Sequence, residues 1–84
     1  MESTVDHATI RRWAEARGAR PARHRQAEHL LRLAFEPLPP HWQELTWDEF
    51  FRLFDEHQLI FLYRPEPESR LCKFAWRWKY APRE

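Results

Sequence analysis

The sequence predicts an α+β fold with the element order αββαββ, in which two helices cover one face of a four-stranded, mainly antiparallel sheet. Two helix signals, each followed by a pair of strand-like segments, lead to this prediction. Packing both helices on one sheet face is the natural two-layer arrangement for this order. With 84 residues the chain is long enough for one small domain only. We expect a helix–hairpin unit over 6–36, a proline-rich connector over 37–45 and a second helix–hairpin unit over 46–80.

The first helix is indicated by an apolar stripe and by suitable residues at both ends. Ile10, Trp13 and Ala14 have helical spacing. Asp6 is a favourable N-cap, and Gly18, the single glycine of the chain, fits the left-handed position that ends a helix.

The second helix has a clearer start. Thr46 and Glu49 form a capping box, and the apolar residues that follow give one broad face: Phe50, Phe51, Leu53 and Phe54. Its start echoes the first helix, although the matched segments are too short to establish a duplication.

Four segments have the pattern of strands. We predict short strands over 22–25 and 30–36, a central strand with little solvent on either face over 59–63, and an alternating strand over 72–80. The segment 37–44 contains three prolines and is predicted to be an irregular connector.

Charge is segregated along the chain, although the formal net charge is only +1. Between residues 11 and 32 there are seven arginines and two acids, and between 36 and 68 there are eight acids and two arginines. Residues 70–83 contain five bases and no acid. This pattern predicts separate basic and acidic surfaces.

The composition excludes several classes of protein. A single cysteine cannot form an internal disulfide, the first residues do not resemble a signal peptide, and the longest apolar run is far too short to span a membrane. We therefore expect a cytoplasmic location. Because no phosphate-binding loop, catalytic triad, carboxylate pair or metal-ligand spacing can be singled out, we expect no enzyme, no cofactor and no metal.

Basic and aromatic residues make the candidate binding surface. Strand alternation places six cations on the sheet face opposite the helices: Arg23, Arg25, Arg32, Lys73, Arg77 and Lys79. Trp42 and Trp78 are hard to bury in so small a domain, whereas Trp13, Trp47 and Trp76 are expected in the core.

Two functions fit this surface. An acidic protein partner, or a second copy of the chain, would be anchored by the tryptophans and oriented by the arginines. The alternative is a nucleic acid, with phosphates on the cations and bases stacked on Trp78 or Tyr80.

Two longer patterns resemble a family of small uncharacterised bacterial proteins. The first runs from Asp6-His7 through Trp13-Ala14-Glu15 to Pro21-Ala22. The second runs from Trp47-Asp48-Glu49-Phe50-Phe51 through Leu62-Tyr63, followed by Lys73-Phe74 and Arg77. That family often carries the label glucan branching enzyme, which implies a large barrel with several catalytic carboxylates, and nothing in this sequence provides such a site. The chain departs from the pattern at Ala19, where members usually have glycine, in a shorter first hairpin, and in its many arginines. The resemblance implies a fold and leaves the function open.

Overall fold

The structure, a computed structural model, describes residues 1–80 and confirms the α+β class. Over this range the elements are β1 (Glu2–Thr4), α1 (His7–Ala16), β2 (Arg20–His24), β3 (Ala27–Ala34), β4 (Trp42–Glu44), α2 (Trp47–Glu56), β5 (Leu59–Tyr63), β6 (Cys72–Trp76) and a 3₁₀ helix (Arg77–Lys79). None of the helices in this range has the length and apolar character required to cross a membrane.

The prediction of one four-stranded sheet is wrong. The strands form two three-stranded sheets with the orders β1-β5-β6 and β3-β2-β4, and all neighbours are antiparallel. The two added strands, β1 and β4, have only three residues each and carry no apolar alternation. Each exists because a neighbouring hairpin offers it a partner, which a local pattern cannot reveal.

The chain is two βαββ halves that exchange their first strands. β4 begins 40 residues after β1, and α2 begins 40 residues after α1. β1 of the first half pairs with β5 of the second, and β4 of the second half pairs with β2 of the first. The two hairpins thus remain in separate sheets, and the exchanged strands connect the halves.

The predicted connector is only partly irregular. Trp42–Glu44 forms β4 inside it, and the Leu45 N–H donates to the Pro21 carbonyl at 2.9 Å. The last strand is also shorter than predicted, because it ends at Trp76 and continues as the 3₁₀ helix.

Both helix starts have the predicted caps. The Asp6 carboxylate accepts hydrogen bonds from the Thr9 hydroxyl and N–H, and these bonds lower the pKa of Asp6. In α2, the Thr46 N–H donates to the Glu49 carboxylate at 3.1 Å, and the Glu49 N–H donates to the Thr46 hydroxyl at 3.2 Å. The capping box is therefore confirmed.

Aromatic side chains from both helices and from β5 form a large part of the core. Phe50, Phe54 and Phe61 are fully buried, and the Trp13 ring meets Phe61 edge to face at 5.4 Å. All five residues of β5 are buried, as its continuous apolar run predicts. Edge-to-face pairs add specific geometry to the burial of apolar area.

A candidate binding groove between two strand edges

A groove of about 630 Å³ lies between β3 and β6, the facing outer strands of the two sheets. Its lining comes from β3, β6 and nearby residues: His29, Leu30, Leu31, Arg32, Leu33, Phe35, Leu59, Arg70, Cys72, Lys73, Phe74, Ala75 and Trp76. We call this feature the β3–β6 groove.

One side of the groove is the open edge of β3. The Pro21 carbonyl accepts a bond from the Leu45 N–H, so the main-chain groups of Pro21 face β4. Leu33 lies opposite Pro21 in the β2–β3 ladder, and Leu31 lies opposite Arg23. Because hydrogen-bonded and non-bonded pairs alternate in an antiparallel ladder, Leu31 and Leu33 turn their N–H and C=O groups away from β2.

The opposite side is the open edge of β6. The Arg64 N–H donates to the Leu71 carbonyl at 3.1 Å, and the Arg77 N–H donates to the Gln58 carbonyl at 2.6 Å. These bonds fix which residues of the ladder face β5. The intervening residues Cys72, Phe74 and Trp76 therefore direct their main-chain groups away from β5, into the groove.

The groove lining is basic. It contains Arg32, Arg70 and Lys73 and, within the described part of the chain, no carboxylate. Over residues 1–80 these three cations take part in no ion pair. Two of them lie over aromatic rings, since the Arg32 guanidinium is 5.1 Å from the Trp42 ring centre and Arg70 is 5.5 Å from Phe35.

Apolar side chains remain exposed beside these cations. Leu30 is 45% exposed and Trp76 is 39% exposed, and both line the groove. The His29 ring stacks on Trp76 with ring centres 6.1 Å apart. Exposed aliphatic and aromatic surface next to unpaired arginine is typical of protein interfaces.

Cys72 is the thiol of the groove. Burial raises its pKa to about 11, against an opposing effect of the Arg17 charge. The side chain is therefore almost entirely a neutral thiol at physiological pH, which lowers its reactivity as a nucleophile.

The eight residues predicted as the binding surface do not share one face. Only Arg32 and Lys73 line the groove, and Trp42 adjoins it through its contact with Arg32. Arg23 lies in register with the buried Leu31, on the core side of its sheet, and donates to the carbonyls of His24 and Arg25. The prediction of a single six-cation face is wrong because Arg23 and Arg32 lie on opposite faces of one sheet and Lys73 belongs to the other sheet.

The other predicted cations have local partners or lie beyond the strands. Arg25 follows the end of β2 and donates to the Pro40 carbonyl at 3.0 Å. Arg77 and Lys79 belong to the 3₁₀ helix, and Arg77 pairs with Asp55 at 3.1 Å. Trp78 is 72% exposed, with the Lys79 ammonium 5.5 Å from its ring centre.

Arg70 and Trp76 line the groove but are not predicted as site residues by the sequence pattern. Arg70 precedes the predicted last strand, and the alternation of 72–80 predicts Trp76 in the core. Trp76 lies at the last position of β6, an outer strand, and its side chain is partly exposed. The basic run after residue 70 was the only available signal for Arg70.

Within the described range, no three His, Cys, Asp or Glu side chains come together as metal ligands would. No protein-family model, no curated protein and no solved structure matches the chain. The family resemblance of the sequence therefore stays a prediction, and the function must be argued from the groove itself.

Proposed function

We propose that this chain is a small non-enzymatic binding module that docks an acidic protein partner in the β3–β6 groove. One observation carries the proposal: Arg32, Arg70 and Lys73 line a groove in which the described residues place no carboxylate. Cations held beside apolar surface attract an acidic partner and orient it, while Leu30 and Trp76 supply area to bury. The single cysteine fits a cytoplasmic module.

Two other occupants of the same surface are distinguished by experiment. A second copy of the chain would present the acidic outer face of α2, which carries Asp48 and Glu56. A nucleic acid would use the same cations, with Trp78 or Tyr80 as stacking surfaces. The exposed Leu30 beside these cations favours the protein partner, because an aliphatic side chain offers area to bury but no ring on which a base could stack.

The test is selection of a random dodecapeptide library on the immobilised chain, in parallel with anisotropy titrations of single-stranded DNA and RNA. We expect enriched peptides to be rich in Asp and Glu and to lose at least about tenfold in affinity on the double variant R32E/K73E. The matched control is R12E, on the exposed side of α1. It changes the net charge half as much and leaves the groove intact.

Four outcomes contradict the proposal. If the enriched peptides are not rich in Asp and Glu, the partner is not selected by charge. If they bind R32E/K73E as tightly as wild type, the binding site is not the β3–β6 groove. Tight oligonucleotide binding with a steep salt dependence, and no enriched peptide, assigns the surface to nucleic acid. A concentration-dependent dimer in sedimentation, dissociated by R32E/K73E, assigns it to self-association.

A further inference from the structure

The four outer strands of the two sheets differ in how well their free edges are protected against pairing with an additional strand. β1 and β4 are only three residues long, and such short edges offer few pairing groups. β3 pairs with β2 through an irregular register between Arg23 and His24, which is a common form of edge protection. β6 has five residues in unbroken register with β5, and it contains no proline.

We propose that the β3–β6 groove binds an extended acidic peptide segment that adds a strand to the open edge of β6. The proposal rests on the proposed function and specifies how the acidic partner is held. Main-chain N–H and C=O groups of Cys72, Phe74 and Trp76 point away from β5 into the groove, and they have no hydrogen-bond partner within residues 1–80. An incoming strand therefore finds three alternate residues of β6 with groups to pair.

The side chains along β6 define the chemistry of the added strand. Phe74 lies on the face of the sheet that packs against the apolar core. Lys73 occupies the alternate face and is exposed. A strand beside β6 follows the same alternation, because side chains of neighbouring strands pair on the same face. The peptide therefore needs apolar residues toward Phe74 and acidic residues toward Lys73.

The facing strand supports the same pattern. Leu31 and Leu33 are buried on the core side of β3, whereas Arg32 between them is exposed. Both walls of the groove thus carry apolar groups at one set of positions and a cation at the alternate set. An extended segment with alternating acidic and apolar residues matches the alternation of both walls. A helical or folded epitope does not have this two-residue alternation.

The sharpest test uses backbone methylation of the highest-affinity acidic dodecapeptide from the library selection. Only every second N–H of an edge strand faces its partner. N-methylation of the peptide residues whose N–H groups face β6, which are either all the odd or all the even positions, is expected to weaken binding at least about tenfold. N-methylation at the other positions, which keeps the same number of methyl groups, is expected to change binding less than about twofold.

Amide exchange measured by NMR gives an independent readout on the chain itself. Binding of the same peptide is expected to slow exchange of the Cys72, Phe74 and Trp76 amides, whose N–H groups face the groove. The Lys73 and Ala75 amides already pair with β5 and serve as internal controls. No change at Phe74 on saturation with peptide overturns the proposal.

The two proposals fail in different ways. Strand addition is refuted if a peptide binds, loses affinity for R32E/K73E, and is weakened equally by N-methylation at the odd and at the even positions. The proposal of acidic docking is unaffected by that result. If selection yields no acidic peptide, both proposals fail. Binding that is lost on N-methylation at only the odd or only the even positions, together with slower Phe74 exchange, establishes both.

Discussion

Gln58 stands 40 residues after Gly18, and both have a positive φ, 55° for Gln58 and 71° for Gly18. Each follows the C-cap residue of its helix, Arg17 in the first half and His57 in the second. The repeat of two βαββ halves therefore extends to the backbone conformation that ends each helix. The first half has glycine at this position, which a positive φ favours, whereas the second half has glutamine.

Gln58→Gly is expected to stabilise the chain by about 0.5–1 kcal/mol. A side chain in the left-handed region costs on the order of 1 kcal/mol, and glycine removes this cost at the expense of a more flexible unfolded chain. Urea denaturation measures the change. The control is Gln58→Ala, which removes the hydrogen bond from the Gln58 side-chain amide to the Asp55 carbonyl but keeps a side chain at a positive φ. If both variants destabilise equally, the side-chain bond outweighs the strain.

Gly18→Ala is expected to destabilise the chain by about 1 kcal/mol. A Cβ at Gly18 meets no atom within 4 Å, so the cost arises from the backbone conformation alone. Gly18→Asn should recover part of the loss, because asparagine tolerates the left-handed region better than alanine. Equal denaturation midpoints for the alanine and asparagine variants would contradict this explanation.

Arg17, the C-cap residue of α1, is hydrogen-bonded to the loop between β5 and β6. Its guanidinium donates to the carbonyls of Ser69 at 2.6 Å and Glu66 at 2.7 Å, and it lies 4.1 Å from the Trp13 ring centre. Arg17→Lys keeps the charge but loses the planar fork, and we expect a loss of about 1–2 kcal/mol. Arg12→Lys, on the exposed side of the same helix, is expected to change stability by less than about 0.5 kcal/mol. Equal effects of the two lysine variants in urea denaturation would show that the fork does not hold the loop.

The elements that sequence analysis predicted are those with local signals. The reciprocal bonds of Thr46 and Glu49 require residues three apart, and the burial of 59–63 follows from an apolar run. β1 has no such signal, because Glu2–Thr4 becomes a strand only by pairing with β5, about 60 residues away.

The candidate site was predicted in part for the same reason. The alternation of β3 and β6 identified Arg32 and Lys73 as exposed cations. Which cations share a surface depends on the sheet and the face to which each residue belongs. Arg23 lies on the core side of its sheet and Arg77 lies in the 3₁₀ helix after β6, so neither lines the groove. The exposure of Trp76 likewise depends on β6 being an outer strand.

The capping box of α2 predicts a pH dependence of stability. Hydrogen bonds from the Thr46 N–H and hydroxyl lower the pKa of Glu49 below its usual value of 4.5. A lowered folded pKa means that the stabilisation is fully present above the unfolded value and is lost as pH falls through the folded value. The melting temperature of wild type is therefore expected to exceed that of Glu49→Gln at neutral pH, with the difference shrinking below about pH 4.5.

Glu56→Gln is the matched control for Glu49→Gln. Glu56 lies in the last turn of α2, where the helix dipole does not favour a negative charge, and within residues 1–80 its one ion pair is with the exposed Arg52. We expect little change in melting temperature at neutral pH. A Glu49→Gln difference that stays constant from neutral pH to below about pH 4 would contradict the role of the ionised carboxylate.

Alkylation of Cys72 tests the environment of the β3–β6 groove. Its pKa of about 11, against an ordinary value of 9.0, leaves roughly 100-fold less thiolate at pH 8 than a free thiol has. Iodoacetamide is therefore expected to modify the folded chain at least about 100-fold more slowly than the chain unfolded in urea, with a rate that rises about tenfold per pH unit from pH 7 to pH 10. A rate that levels off near pH 9 would mean that the thiol is solvated. Slower modification when an acidic peptide is bound would place that peptide over Cys72, at the open edge of β6.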